Sequence, residues 1–227
     1  MVTVNISKEG HAIFSNVTEI QIERIKKYNV TYTTMATAEG TDIFFTAMVK
    51  NKPVWFDIDD LELFLSYGNL FWSKGYLQGF GKMKSFHRAI IKKSYGITTN
   101  KHLHCDHISR KKHDNRKSNL RVIPSRANFT NKPRPKSGYY HVIQRNENRN
   151  KYRPRFEYKK EHYFGTYDDP VIAAIVADSI THFLMPDQYI RDSYNFPDDI
   201  KKPEETALSE ENLTKLYELK ARIVNDK

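Results

Sequence analysis

Between His102 and Asn131 the chain gathers side chains that can hold a metal ion or move a proton. Four of its nine histidines fall there, with Cys105, Asp106, Asp114 and the amides of Asn115, Asn119 and Asn128. The order within the stretch is more telling than the density. Cys105-Asp106-His107-Ile108 is followed by Asn119-Leu120-Arg121-Val122 and then Asn128. A carboxylate from a first strand and an amide oxygen from a following helix are hard donors. They suit Mg²⁺ or a relative, which keeps several waters and leaves positions for a substrate phosphate. A neutral imidazole beside them, with an unperturbed pKa of ~6.5, can take a proton from water at physiological pH. A structural zinc site built from His102, His104, Cys105 and His113 is the competing chemistry, but their spacing matches no zinc pattern.

Such residues need elements to hold them. Leu103 to Ile108 and Leu120 to Ile123 are predicted as two short strands joined by a charged loop, and Pro124-Ser125 opens a short helix carrying Asn128. Adjacent strand residues point to opposite faces, so Asp106 and His107 reach one phosphate only from a strand end or a bulge. Upstream, Gly75 to Ser85 predicts a hairpin leading into a helix over Phe86 to Tyr95, stopped by Gly96. Residues 1 to 66 mix a helical patch at Thr18 to Tyr28 with strand-like alternation, and predict a small α+β module of undisclosed role. Downstream, Lys132-Pro133-Arg134-Pro135-Lys136 excludes regular helix, because proline donates no amide hydrogen and restricts the residue before it. Three short alternating segments come next, from Gly138 to Tyr167. Asp169-Pro170 then starts an apolar helix over Val171 to Leu184, and Ser209 caps a final helix.

Charge supplies the partner. The chain has 227 residues and a formal net charge of +10. Tyr67 to Glu161 holds 24 basic and 5 acidic residues, and the segments on either side are net acidic. A basic stretch interleaved with aromatic residues is the footprint of a polyanion partner, which points to nucleic acid over a membrane surface. One cysteine excludes a disulfide-stapled scaffold and a four-thiolate zinc ribbon. Met1 to Gly10 shows no apolar signal core, and no apolar run reaches transmembrane length, so a cytoplasmic location is expected.

Asp106-His107-Ile108, Asn119-Leu120-Arg121 and Asn128 resemble the HNH nucleases, specifically the phage homing and free-standing endonucleases. The resemblance implies His107 as general base, Asp106 and Asn128 as ligands of one divalent ion, Mg²⁺ or Mn²⁺, and Asn119 as the residue that holds the histidine. Phe71-Trp72-Ser73-Lys74-Gly75-Tyr76 and Phe86-His87-Arg88-Ala89-Ile90 are similar to the hairpin and His-Arg helix that often precede that motif. Two departures stand out: Ser109-Arg110-Lys111 replaces the family's Asp-Gly-Asn, and the last metal position is Asn128 where the name-giving pattern has His.

Ser137-Gly138-Tyr139-Tyr140-His141-Val142, Lys151 to Phe156, His162 to Tyr167 and the alanine-rich helix resemble the ethylene-response-factor type of DNA-binding domain, with His141 where that family favours Gly. This implies a three-stranded antiparallel sheet on a helix, with arginines of the sheet entering the major groove. Independently, Arg153 and Arg155 sit two apart and share a strand face opposite Tyr152 and Phe156, while Pro154 removes a ladder hydrogen bond.

The expectation is therefore an α+β chain: an N-terminal module over 1–66, a ββα-metal nuclease over 67–131, a basic linker over 132–137, a sheet-plus-helix DNA-binding domain over 138–197, and a helical tail over 198–227. Double-stranded DNA is the expected partner, through Arg121, Arg126, Lys132, Arg134, Arg145, Arg153 and Arg155. The expected activity is phosphodiester hydrolysis to 5′-phosphate and 3′-hydroxyl ends, with nicking and double-strand cutting both open. The alternative is a DNA-binding regulator or inhibitor that keeps the fold without turnover. No oligomeric state is encoded legibly, and a monomer is expected.

Overall fold

The alternating and periodic segments fold into a mixed α+β chain of small sheets, seen in a computed structural model that describes residues 3–6, 12–37, 40–80, 84–144 and 151–226. Two compact units divide after Val122.

The first unit begins with the hairpin β1 (Thr3–Ile6) and β2 (Ala12–Ser15), followed by helix α1 (Glu19–Lys27). Thr18 and Gln21 form a reciprocal capping box that starts α1. Next come β3 (Thr31–Thr37), β4 (Gly40–Val49) and β5 (Lys52–Asp57), an antiparallel sheet with β4 central. Lys50 and Asn51 both have positive φ, 49° and 62°, the backbone that a two-residue turn between β4 and β5 requires. Helix α2 (Leu61–Ser66) leads to the hairpin β6 (Leu70–Ser73) and β7 (Tyr76–Gly79). This hairpin turns at Lys74-Gly75, earlier than the glycines at 79 and 81 suggested, because Lys74 and Gly75 take the positive φ there. Helix α3 (Phe86–Tyr95) ends on left-handed Gly96 as expected. The last two strands, β8 (Leu103–His107) and β9 (Leu120–Pro124), pair with each other, and the division into units falls within β9.

Residues 1–66 do not stand apart from the remainder of this unit. One core joins Phe45, Phe56 and Phe64 to Phe86, Ile90, Cys105 and Leu120. Phe56 stacks on Phe64 with ring centroids 4.6 Å apart, and Phe86 meets both edge-on. Each buried phenylalanine contributes on the order of 1.5–3 kcal/mol, so the sheet of β3 to β5 and the helix α3 are held by the same rings. The core therefore crosses the boundary expected at residue 66.

The second unit contains β10 (Val142–Gln144), β11 (Tyr152–Tyr158) and β12 (Lys160–Tyr163), an antiparallel sheet in the order β10-β11-β12, with helices α4 (Pro170–Leu184) and α5 (Glu210–Asn225). Asp169 caps α4 by accepting from the Val171 N–H at 2.7 Å, with Pro170 in its first turn. The β11 alternation is as read: Pro154 and Phe156 are buried, while Arg153 and Arg155 occupy the intervening positions. Val142 packs on Ala173, Ala174 and Ala177, whose small side chains let α4 approach the sheet. The expected tail is part of the core, since Leu216, Leu219 and Ile223 of α5 join Phe156, Phe164, Ile180 and Leu184. Pro154 is tolerated in the central strand because β10 stops beside it. His141 turns left-handed at φ 59°, and its carbonyl accepts from the Arg155 N–H at 2.8 Å. The position where the resemblance favours Gly is thus one that demands a glycine-like backbone.

Candidate active site

Asp106 and His107 close strand β8, and both are buried, His107 to 3% exposure. They have different neighbours, as alternation along a strand requires. The Asp106 carboxylate accepts from Arg121 Nε, on β9, at 3.0 Å. The His107 ring lies beside His87 of α3 and Tyr76 of β7, at centroid separations of 5.0 and 5.8 Å. The hairpin β6–β7 and helix α3 therefore wall the histidine, which their place upstream in the sequence did not disclose.

The loop between β8 and β9 is clamped from within. Asn119, at the end of a 3-10 turn over Lys117–Asn119, accepts the Ser109 N–H at 2.9 Å and donates through Nδ2 to the Asp114 carbonyl at 2.8 Å. Its backbone carbonyl accepts from Ile108 N–H at 2.9 Å. Arg110 stands where the resemblance expects Gly and holds φ 63°, with its N–H donating to the His107 carbonyl at 2.8 Å. The loop keeps a glycine's conformation without the glycine, and the cost of a left-handed non-glycine residue is offset by these hydrogen bonds.

The Asn119 side chain therefore bonds to the loop, whereas the resemblance assigns it to the imidazole. The side-chain oxygen near the ring is that of Asn115, 3.5 Å from His107 Nε2. Asn115 is fully buried and donates through Nδ2 to the His113 carbonyl at 3.0 Å. It belonged to the cluster visible in sequence, but no spacing argument gave it a task. Residues 113 to 115 also run beside the edge strand β5: Trp55 N–H donates to the His113 carbonyl and Asn115 N–H to the Trp55 carbonyl, both at 2.8 Å. Arg116 locks this stretch by reaching Asp114 and Asp42, each at 2.7 Å. The N-terminal sheet is thus the floor on which the loop is built, a role its sequence did not disclose.

Burial holds the His107 pKa below the ordinary imidazole value, with Lys112 acting in the same sense and Asn115, Asp106 and Asp114 opposing it. The ring is neutral at physiological pH, the form a proton acceptor needs. His87 is pushed down to about 3 by burial, with His107, Arg88 and Lys112 adding to the effect. Its Nδ1 pairs with Ser85 Oγ at 3.0 Å. Burial pushes the Cys105 thiol up to about 12, and the thiol donates to the His87 carbonyl, so it stays protonated at physiological pH. Among the described residues, His102, His104, Cys105 and His113 form no group of converging metal donors, which removes the zinc reading.

The carboxylates close enough to share an ion lie elsewhere, at Asp57, Asp59 and Asp60, with donor atoms within 4.8 Å of one another. They could hold a metal ion, but Lys117 Nζ already sits 3.8 Å from Asp57 and 3.9 Å from Asp60, and Lys93 Nζ lies 2.7 Å from Asp60. These ammonium groups supply the balancing charge. Of the two ligands expected from the sequence, Asp106 belongs to the first unit and Asn128 to the second, on a 3-10 turn over Ala127–Phe129 that stands where a short helix was expected. Both offer hard oxygen atoms, the donor chemistry that fits Mg²⁺ or Mn²⁺.

The expected DNA-binding residues separate into several environments. Arg121 is engaged with Asp106, so it belongs to the site and not to an outward face. Arg153 lies over the Tyr163 ring at 4.4 Å, and Arg155 pairs with Glu161 at 2.6 Å. Arg126 donates to the Glu157 carbonyl at 2.8 Å. Lys132 stands over the Phe129 ring at 4.7 Å, and Arg134 reaches Asn195 Oδ1 at 3.1 Å, so the expected linker is tied into the second unit. Arg145 lies outside the described residues. Among the described residues no helix is long and apolar enough to cross a membrane. Comparison with protein-family models, curated proteins and solved structures finds no match for this chain.

Proposed function

We propose that the chain is a metal-dependent DNA endonuclease of the HNH kind, with a ββα-metal catalytic part and a sheet-plus-helix DNA-binding part, acting on duplex DNA inside a cell. The observation that carries this reading is a neutral His107 ending a strand next to Asp106, above a loop that Asn119 clamps and Arg110 bends as a glycine would.

His107 takes a proton from water, and the hydroxide attacks phosphorus in line with the departing 3′ oxygen, which leaves as the 3′-hydroxyl after protonation. The other product carries the 5′-phosphate. Asp106 would hold the divalent ion, with Asn128 as the second ligand that the resemblance implies; once bound, the ion would stabilise charge on the phosphoryl oxygens and the leaving oxygen. Asn115 faces the imidazole, Asn119 keeps the loop in shape, and the N-terminal sheet keeps both in register. Because His107 is only 3% exposed, the reading requires that the ring be uncovered for water and a phosphate to reach it.

Purified protein should cut or nick plasmid DNA with Mg²⁺ or Mn²⁺ and stop with EDTA. His107→Ala should lose cleavage by roughly 10²-fold or more while still binding DNA. Cleavage retained by that variant overturns the assignment of the base.

The second reading, a DNA-binding regulator without turnover, is favoured by the same burial of His107 and by the hold of Arg121 on Asp106. It predicts salt-sensitive duplex binding with no metal-dependent cleavage on any sequence tested.

A further inference from the structure

The second unit contains a cavity of about 320 Å³ whose walls include Arg126, Phe129, His141, Arg155, Lys159 and Tyr189. Its size is at the lower end of small-ligand pockets. Arg126, Arg155 and Lys159 all line it, and among the described residues Glu157 is the one carboxylate on the wall. The acidic partners of Arg155 and Lys159 are Glu161 and Asp226, exposed side chains that do not line the cavity. Ion pairs of that kind are weak and easily exchanged. Arg126 directs one N–H to the Glu157 carbonyl and lies over the Phe156 ring at 5.5 Å, and among the described residues it forms no ion pair with a carboxylate.

The remaining wall is aromatic. Phe129 is 65% exposed with Lys132 over its ring at 4.7 Å, and Tyr189 meets the His141 ring edge-on at 5.5 Å. His141, on the same wall, has a buried Nε2 with no hydrogen-bond partner among the described residues, a costly condition. A convergence of cations, one exposed ring and an unsatisfied imidazole matches a phosphate joined to a flat base.

We propose that this cavity binds one unpaired nucleotide of a nucleic-acid strand, its phosphate on Arg126, Arg155 and Lys159 and its base against Phe129. The inference rests on the DNA-binding reading of the second unit and goes beyond it, since a paired base cannot enter a pocket of this kind.

The test tracks the ring resonances of Phe129, His141 and Tyr189 by NMR in the full chain, during titration with inorganic phosphate, deoxyadenosine 5′-monophosphate, a single-stranded oligodeoxynucleotide and duplex DNA. The oligonucleotide should move all three rings and bind at least roughly ten-fold more tightly than the mononucleotide. Arg126→Gln should weaken phosphate, mononucleotide and oligonucleotide alike by roughly ten-fold. Phe129→Ala should weaken the mononucleotide and the oligonucleotide and leave inorganic phosphate unchanged. Mononucleotide binding as tight as the oligonucleotide overturns the assignment to a strand. Duplex binding with all three rings unmoved by the oligonucleotide overturns the pocket and leaves the DNA-binding reading standing. Oligonucleotide binding here without metal-dependent cleavage supports the pocket while the nuclease reading fails.

Discussion

Arg121 donates through Nε to the carboxylate of Asp106 at 3.0 Å, from one strand of the central hairpin to the other. A guanidinium therefore occupies the side of the carboxylate that would otherwise favour a second cation, and it competes electrostatically with any divalent ion held by Asp106. Without metal, Arg121→Gln leaves a largely buried carboxylate short of its partner and should destabilise the chain by about 2 kcal/mol. Added Mg²⁺ should restore part of that loss and bind the variant more tightly than the parent chain. Urea denaturation with and without Mg²⁺ checks it, and an equal loss in both conditions would separate Arg121 from the metal site.

Arg110 holds φ 63° on an exposed part of the loop, so replacing it with Gly removes a backbone penalty and no buried contact. Arg110→Gly should raise stability by about 0.5–1 kcal/mol, the left-handed penalty less the extra freedom glycine has in the unfolded chain. A shift in the urea midpoint at constant slope reads this out. A destabilised variant would mean that the arginine side chain is needed there for packing.

Asn119→Ala removes an acceptor from Ser109 N–H, in a part-buried position, and a donor to the Asp114 carbonyl, in a buried one. The expected cost is about 2–3 kcal/mol, with loss of cleavage resulting from a misshapen loop. Asn115→Ala takes away the oxygen beside His107 and should cost less in stability, yet shift the pH profile of cleavage. Because the Asn115 contact raises the His107 pKa, its removal should move the acidic limb of the profile to lower pH. An unchanged profile would assign Asn115 a structural task alone.

His87 and His141 are held neutral, at about 3 and about 4, against ~6.5 in an unfolded chain. Their depressed pKa values mean that the unfolded state takes up protons first as pH falls. Stability is fully present above pH ~6.5 and declines below it, by at most about 1.4 kcal/mol per pH unit for each histidine. Asp178 works in the opposite sense. Burial raises its carboxyl to about 6, so the folded chain binds a proton there first and gains stability as pH falls from about 6 towards 4. Comparing the parent with His87→Phe isolates one contribution: the variant should lose stability less steeply between pH 6.5 and 5. Parallel slopes would show that His87 titrates normally.

The features that near neighbours along the chain decide were legible before any fold was known. Asp169-Pro170 starting a helix, Gly96 ending one, and Arg153 and Arg155 opposite Phe156 all arise from capping, backbone freedom and alternation, which act over a few residues. The Asp106-His107 pair at a strand end and the clustering of Asn115 and Asn119 near it were visible for the same reason. Distances between residues far apart in sequence were not. Only packing could show that Phe45 and Phe86 share a core, so that the N-terminal stretch becomes the floor of the site. Only packing could give Arg121 to Asp106, turn the Asn119 side chain to the loop and leave Asn115 facing the imidazole. Side-chain partners are chosen by which low-energy arrangement buries the most apolar surface while satisfying every covered polar group, a condition set by the whole unit at once.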